Sequence, residues 1–136
     1  MIAISKIEIL YYFWIPLKLM HYKPGLHILS EFNSPKDELL LRSTECRMLF
    51  DGLIDEYGLS KVGEVYHDFD GGGFTAVVCL TESHLSIHTW PEYGLATFDV
   101  FLSNFRNDNE EKVRKIHAQV LHFFEGTERQ KTELTR

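Results

Sequence analysis

The chain has 136 residues, of which 44% are hydrophobic and 25% are charged. This size and composition are typical of one soluble globular domain with a sizeable core, and we do not expect a second domain. The formal net charge of −6 argues against electrostatic binding to nucleic acid or to anionic lipid. We therefore expect the partner to be a small molecule or another protein.

Residues 1–24 are expected to form an N-terminal extension and not a membrane anchor or a signal peptide. Their apolar run, Ile9 to Leu17, has nine residues, whereas a spanning helix needs about 20. A signal peptide needs a cationic start and a small-residue cleavage site, and neither occurs before Pro24. Cys46 and Cys79 are too few for a secreted disulfide framework, which favours a cytoplasmic location.

Residues 25–136 read as one α+β domain. Gly25 to Phe32 alternates apolar and polar residues as a half-buried strand does. Ser34 and Pro35 then supply a capping hydroxyl and a proline suited to a helix start, and Gly58 is suited to a helix end. The apolar positions of the helix predicted between them have helical spacing: Cys46, Leu49, Phe50, Leu53, Ile54 and Tyr57.

Four short strands are predicted next, at residues 61–67, 74–80, 83–89 and 95–102, with turns at residues 70–73 and 91–94. A second amphipathic helix follows from about Asp108 to Phe124, and residues 127–134 are a candidate for a last strand. Two helices and an antiparallel sheet of this size predict a two-layer sandwich, with both helices on one face of the sheet.

Two features suggest other sites but have simpler interpretations. The glycines at 71–73 lack the GxGxxG or GxxxxGK[ST] context of a phosphate-binding loop, so we interpret them as a turn. His84 and His88 lie four residues apart on a predicted strand and could share a face, but no third ligand is evident. We therefore predict no metal site.

The segment from Glu82 to Glu92 reads ESHLSIHTWPE. These eleven contiguous residues closely resemble the self-processing motif of bacterial S-adenosylmethionine decarboxylases, pyruvoyl enzymes that make the aminopropyl donor for polyamine (spermidine) synthesis. GLHILSEF, at residues 25–32, resembles the first strand of that family. The likeness covers residues 25–103 well and the C-terminal helix loosely.

The resemblance implies that the chain is a proenzyme that cuts itself between Glu82 and Ser83. The Ser83 hydroxyl attacks the preceding carbonyl and converts the amide into an ester. His88 resembles the base that then removes the Cα proton of residue 83, and Ser86 resembles a second hydroxyl that assists processing. The products are residues 1–82 and a chain that begins with a pyruvoyl group made from Ser83.

The implied cofactor is this covalent pyruvoyl group, with no metal and no external cofactor. It forms a Schiff base with the substrate amine and accepts the electrons left when carbon dioxide departs. Glu92 matches an acidic residue that resembles a clamp for a ribose diol, which favours S-adenosylmethionine as the substrate. The family also implies a homodimer of cleaved protomers.

Ser103 departs from the family pattern. The segment from Phe98 to Ser103 resembles one that ends in a cysteine, the acid that reprotonates the substrate carbon. An alkyl hydroxyl is a far poorer acid than a thiol, so ordinary turnover is in question. Cys79 is not an obvious substitute, because four strand residues would separate it from Ser83 by roughly 13 Å.

Ser103 leaves three alternatives open. It relays a proton from water or a histidine; the enzyme decarboxylates arginine or ornithine, as related pyruvoyl enzymes do; or decarboxylation has been lost. In the last case the chain is a non-catalytic homologue that binds S-adenosylmethionine or an active paralogue. The presence of Glu92 argues against a basic amino acid as the substrate.

Overall fold

The structure, a computed structural model, describes residues 21–105 and 107–136. Most of the expected N-terminal extension, including its apolar run, lies outside the described residues. The predicted fold class is confirmed, because an antiparallel sheet carries its helices on one face. None of the described helices is long and apolar enough to cross a bilayer.

The described residues form a six-stranded sheet and three α-helices. The strands are β1 (Leu26–Asn33), β2 (Lys61–Asp68), β3 (Phe74–Leu80), β4 (Ser83–Trp90), β5 (Leu95–Leu102) and β6 (Thr127–Thr135). The helices are α1 (Asp37–Leu41), α2 (Thr44–Glu56) and α3 (Glu110–Phe123), and a 3₁₀ turn (Pro91–Tyr93) links β4 to β5. The order across the sheet is β2-β3-β4-β5-β1-β6, and every neighbouring pair is antiparallel.

The first predicted helix is two helices in the structure. The helical backbone stops at Arg42, which is extended with φ −137° and ψ 148°. The Arg42 side chain donates to the Phe69 carbonyl oxygen, and the Ser43 amide donates to the Asp68 carboxylate. These contacts tie the break to the end of β2, so long-range hydrogen bonds override the helical pattern of the sequence.

Ser34 does not cap a helix, because α1 begins three residues later. The buried Ser34 hydroxyl accepts from the Lys36 amide and donates to the Phe124 carbonyl oxygen. It therefore joins the loop after β1 to the end of α3. The predicted capping role is wrong, although the residue still supports the chain reversal.

The core lies between the helices and one face of the sheet. Strand residues alternate between this buried face and the opposite one, which we call the open face. The largest fully buried side chains include Phe32, Phe50, Phe74, Phe98, Phe124, Ile28, Leu85, Ile87 and Ile116. Since each buried side chain of this size contributes about 1.5–3 kcal/mol, the core holds the strands in a fixed register.

The glycine run at residues 71–73 is a turn between β2 and β3, as predicted. Gly72 and Gly73 have φ values of 95° and 90°, which favour glycine. The Gly72 amide donates to the Phe69 carbonyl oxygen, and the Gly73 amide donates to the Leu41 carbonyl oxygen. These amides are used by the fold itself and are not directed at a ligand.

We expect Gly25→Ala to destabilise the sheet. A Cβ at Gly25 would lie 2.3 Å from the Leu102 carbonyl oxygen, so β1 and β5 would have to separate. The free energy of unfolding should fall by about 1–3 kcal/mol, measured by urea denaturation of chains kept whole by Ser83→Ala. Gly71→Ala is the matched control, because nothing lies within 4 Å of its Cβ. Equal unfolding midpoints for the two variants would contradict this prediction.

Candidate active site

The peptide bond between Glu82 and Ser83 lies at the tip of a β-hairpin. β3 ends at Leu80 and β4 begins at Ser83, so Thr81 and Glu82 form a two-residue connection. Leu80 pairs with Ser83 across the hairpin. A connection this short fixes the register of its two strands, so the sheet itself positions the predicted cleavage site.

Ser83 has an unusual backbone conformation. Its φ is 148°, a region that glycine adopts readily and that residues with a Cβ rarely adopt. Conformations of this kind cost about 1–3 kcal/mol and persist only where the surrounding structure imposes them. The strain lies at the N–Cα bond next to the predicted cleavage site, so a rearrangement that frees the Ser83 nitrogen would relieve it.

The Glu82 carbonyl oxygen accepts a hydrogen bond from the Ser103 amide at 2.7 Å. This bond lies one step beyond the last pair of the β4–β5 ladder, Ser83 with Leu102. A donor in this position stabilises the negative charge that develops on a carbonyl oxygen when a nucleophile adds. Ser103 can therefore act through its main chain, and this role does not depend on its side chain.

A pocket of about 450 Å³ opens beside this carbonyl. Its lining residues are Ser60, Thr81, Glu82, Ser103, Phe105, Asn107 and Asn109. The Thr81 amide donates to the Ser60 carbonyl oxygen at 2.9 Å, and the Ser60 amide donates to the Glu82 carboxylate at 3.4 Å. The pocket has the volume of a small-molecule site, and its wall holds the hairpin turn in place.

His88 and Ser86 lie on the open face of β4, because Leu85 and Ile87 point into the core. The Nδ1 atom of His88 is hydrogen-bonded to the Thr75 hydroxyl on β3. Such a contact orients the ring and sets which nitrogen carries the proton. The sequence interpretation missed Thr75, although a hairpin turn placed at residues 81–82 pairs position 75 with position 88.

The structure brings Glu82, Ser83 and Ser103 together but leaves His88 and Glu92 elsewhere. His88 lies five residues along the same strand from Ser83, or roughly 16 Å at 3.3 Å per residue. Ser86 lies roughly 10 Å from Ser83 on the same basis. Glu92 is exposed in the 3₁₀ turn beyond the far end of β4. Within one chain, the expected base does not reach the Cα proton of Ser83.

The expected separation of Cys79 from Ser83 by about 13 Å is wrong, because the chain reverses between them. Cys79 pairs with His84, the neighbour of Ser83. Its thiol is free and exposed, and its register places it on the open face with Val77. By contrast, Leu80 and Leu102, the cross-strand partners of Ser83, point into the core.

An aromatic cluster on the open face contains two histidines. The His27 ring lies 5.6 Å from the His84 ring and 5.4 Å from the Phe101 ring, between centroids. Neither ring nitrogen of the buried His27 has a hydrogen-bond partner among the described residues. Burial lowers the pKa of both histidines; Arg136 adds to this effect, and Asp99 opposes it. The cluster therefore favours neutral imidazoles.

Comparison with known proteins agrees with the motif. A family model described as S-adenosylmethionine decarboxylase matches residues 26–136. A curated protein named S-adenosylmethionine decarboxylase proenzyme, from Archaeoglobus fulgidus, is 44% identical over 77 residues, which are 57% of this chain and 69% of that protein. A protein of the same name from Aquifex aeolicus is also 44% identical over 77 residues, covering 57% of each chain.

A solved structure also matches. The crystal structure of adenosylmethionine decarboxylase from Aquifex aeolicus superposes with a TM-score of 0.69 at 30% sequence identity. The match covers 85% of this chain and 91% of that one. The sandwich described above is therefore the fold of that protein.

The lowered histidine pKa values predict that acid destabilises the fold. His27 and His84 have folded-state pKa values below the ordinary 6.5, and so does buried His117, whose ring stacks on Phe98. The folded state therefore binds fewer protons than the unfolded state. The stabilisation is fully present above about pH 6.5 and falls as the pH drops below that value.

The measurement is urea unfolding of the Ser83→Ala chain at about pH 7.5 and about pH 5, where carboxylates of ordinary pKa remain mostly ionised. We expect a lower free energy of unfolding at the lower pH. His27→Phe should make this difference smaller, whereas His122→Ala, a change at an exposed position, should leave it unchanged. Stability that rises toward pH 5 would mean that the pKa values of these histidines are not lowered by folding.

Proposed function

Because this chain belongs to the S-adenosylmethionine decarboxylase family, we propose that it cleaves itself between Glu82 and Ser83 and decarboxylates S-adenosylmethionine. Two adjacent features support the proposal: Ser83 has a strained backbone, and the Glu82 carbonyl oxygen accepts a hydrogen bond from the Ser103 amide. One feature favours release of the Ser83 nitrogen, and the other favours attack on the carbonyl. The product is the aminopropyl donor for spermidine synthesis.

In the first step, the Ser83 Oγ forms a bond to the Glu82 carbonyl carbon. Negative charge gathers on the carbonyl oxygen, where the Ser103 amide stabilises it. The C–N bond then breaks, and the proton lost by the hydroxyl passes to the departing nitrogen. The result is an ester between Glu82 and the Ser83 side chain, with the backbone strain at Ser83 released.

In the second step, a base removes the Cα proton of residue 83, and Glu82 leaves as a carboxylate with the electrons of the Cβ–O bond. The remaining dehydroalanine takes up water and releases ammonia, which leaves a pyruvoyl group at the new N-terminus. This group supplies an electrophilic carbonyl that withdraws electrons from the substrate when carbon dioxide leaves. It comes from the chain itself, so no metal or external cofactor is required.

The base in the second step is His88 of a second copy of the chain. His88 of the same chain lies roughly 16 Å along β4 from Ser83, too far for proton transfer. In a homodimer with the open faces together and the two β4 strands antiparallel, the end of β4 that carries His88 in one protomer would lie against the Ser83 end in the other. Closed two-fold dimers are the commonest assemblies of this kind.

The open face has the composition of such an interface. Its exposed apolar side chains include Val65, Val77, Trp90 and Leu134. The aromatic cluster of His27, His84 and Phe101 lies on the same face, with the Arg136 guanidinium over the Phe101 ring. Apolar side chains on one sheet face are stabilised when a partner removes them from water.

Glu92 is the proposed contact for the ribose hydroxyls of the substrate. It is exposed in the 3₁₀ turn, so in one protomer its carboxylate is free to accept hydrogen bonds from a diol. Like His88, it lies at the far end of β4 from Ser83, and the same dimer would bring it to the other active site. We place the reaction in the cytoplasm, where Cys46 and Cys79 stay reduced.

Self-cleavage is tested by intact mass. Freshly purified protein should separate into two fragments, the second blocked at its N-terminus and reactive toward hydrazines. Together the fragments should carry one water more and one ammonia less than the intact chain, whereas simple hydrolysis adds only water. Ser83→Ala should remain whole. A wild-type chain that remains whole under the same conditions would rule out the proposed enzyme.

The origin of the base is tested by complementation. His88→Ala alone should accumulate uncleaved chains, because the ester is not resolved. When His88→Ala and Ser83→Ala chains are co-expressed, about half of the His88→Ala chains should be cleaved, since mixed dimers combine an intact Ser83 with an intact His88. If His88 acted within its own chain, co-expression would produce no cleavage.

Ser103→Cys tests whether decarboxylation is limited by the lack of a thiol proton donor at position 103. The variant keeps the amide that contacts Glu82, so the rate of self-cleavage should not change. Release of carbon dioxide from S-adenosylmethionine should rise by about tenfold or more, because a positioned general acid contributes at least that much. Arginine and ornithine serve as alternative substrates. An unchanged rate of release would point to another acid, and no release from any of the three would indicate a binding protein.

A further inference from the structure

Asn109 lies directly before α3 and is 5% exposed. Its Nδ2 donates to the Ser103 carbonyl oxygen at 2.8 Å, and its backbone amide donates to Asn104 Oδ1 at 2.8 Å. It lines the pocket beside Glu82. Its Oδ1 is buried without a hydrogen-bond partner among the described residues, an arrangement that destabilises a fold and calls for an explanation.

The Asn109 side chain does not make the helix-capping hydrogen bond that its position suggests. Asparagine is among the preferred residues just before a helix, where its oxygen accepts a hydrogen bond from an amide of the first turn. Asn109 makes no such bond. Asp108 Oδ1 accepts from the Glu110 amide instead, at 3.0 Å. The Asn109 carboxamide is therefore directed at Ser103.

Ser103 is held at both of its backbone groups. Its amide donates to Glu82, and its carbonyl oxygen accepts from Asn109. The chain leaves the sheet at Leu102 and is irregular until α3 begins, so strand pairing fixes the peptide before Ser103 but not the peptide after it. A donor that stabilises developing charge is effective only if it is oriented before the reaction. The contact from Asn109 holds the second peptide and so limits rotation of the Ser103 backbone.

We propose that Asn109 is a positioning residue for self-cleavage, holding Ser103 so that its amide meets the Glu82 oxygen during the amide-to-ester rearrangement. The inference rests on the proposed function and concerns its first step. In that step the Ser83 Oγ–carbon bond forms, the Glu82–Ser83 C–N bond breaks, and the hydroxyl proton moves to the nitrogen. Asn109 does not touch the reacting atoms and takes no part in removing the Cα proton.

The experiment follows cleavage of newly made chains over time and adds hydroxylamine at fixed times. Hydroxylamine cuts the ester but not the unreacted amide, so it reports which step is slow. Asn109→Ala and Asn109→Asp both remove the Nδ2 donor, and the second keeps the size of the side chain. His122→Ala is the control, because His122 is exposed in the last turn of α3 and does not line the pocket.

Both Asn109 variants should cleave about tenfold or more slowly than the wild type. This effect is smaller than the loss of rate expected when a donor to the reacting oxygen is removed outright, because the Ser103 amide is still present. Their uncleaved chains should resist hydroxylamine, since the amide has not rearranged. The His88→Ala chain should behave in the opposite way and accumulate a hydroxylamine-sensitive ester. His122→Ala should cleave at the wild-type rate.

Two results would overturn the inference while leaving the proposed function intact. One is wild-type cleavage rates in both Asn109 variants. The other is slow cleavage with a hydroxylamine-sensitive ester, which would place Asn109 after the rearrangement. Unfolding midpoints in the Ser83→Ala background show whether each Asn109 variant folds, and the cleavage rate of a variant that does fold decides between these results. A wild-type chain that never cleaves would contradict both the proposed function and the role of Asn109.

Discussion

The peptide that joins Leu102 to Ser103 is the constraint on which the active site depends. Its amide donates to the Glu82 carbonyl oxygen, and its own carbonyl oxygen faces Gly25 so closely that a Cβ there would lie 2.3 Å away. The carbonyl group of this peptide therefore packs on Gly25, directly before β1, and its amide binds the β3–β4 hairpin. Because both contacts lie at the ends of strands and join segments far apart in the chain, the polarised carbonyl and the strained Ser83 are products of the whole fold.

The same rigidity explains why Ser83 and His88 of one chain do not meet. A β-strand keeps its residues about 3.3 Å apart along its axis, so Ser83 and His88 remain separated whatever their side chains do. The sheet presents Ser83 at one end of β4 and the Thr75–His88 pair toward the other. Two copies related by a two-fold axis would supply each site with both halves, which makes dimerisation part of the proposed chemistry.

Ser103 illustrates how one position can carry two separable roles. In the proposed rearrangement at Glu82 its amide is the donor, and any residue except proline provides that amide. Its side chain stands where the resemblance implies a cysteine that donates a proton, and a hydroxyl is a poor replacement for a thiol. On this proposal, self-cleavage and decarboxylation respond differently to substitution at this residue, and the role proposed for Asn109 concerns self-cleavage only.

The sequence by itself determined the strands, the second amphipathic helix and the turn at residues 71–73, because each depends on local periodicity or local turn chemistry. The motif at residues 82–92 was identified by its resemblance to a family. Only the tertiary structure decided that the first helix breaks at Arg42, that Cys79 pairs with His84, and that Thr75 and Asn109 support His88 and Ser103. These features depend on hydrogen bonds between residues far apart in the chain, whose partners are chosen by strand register and packing, and no local pattern encodes that choice.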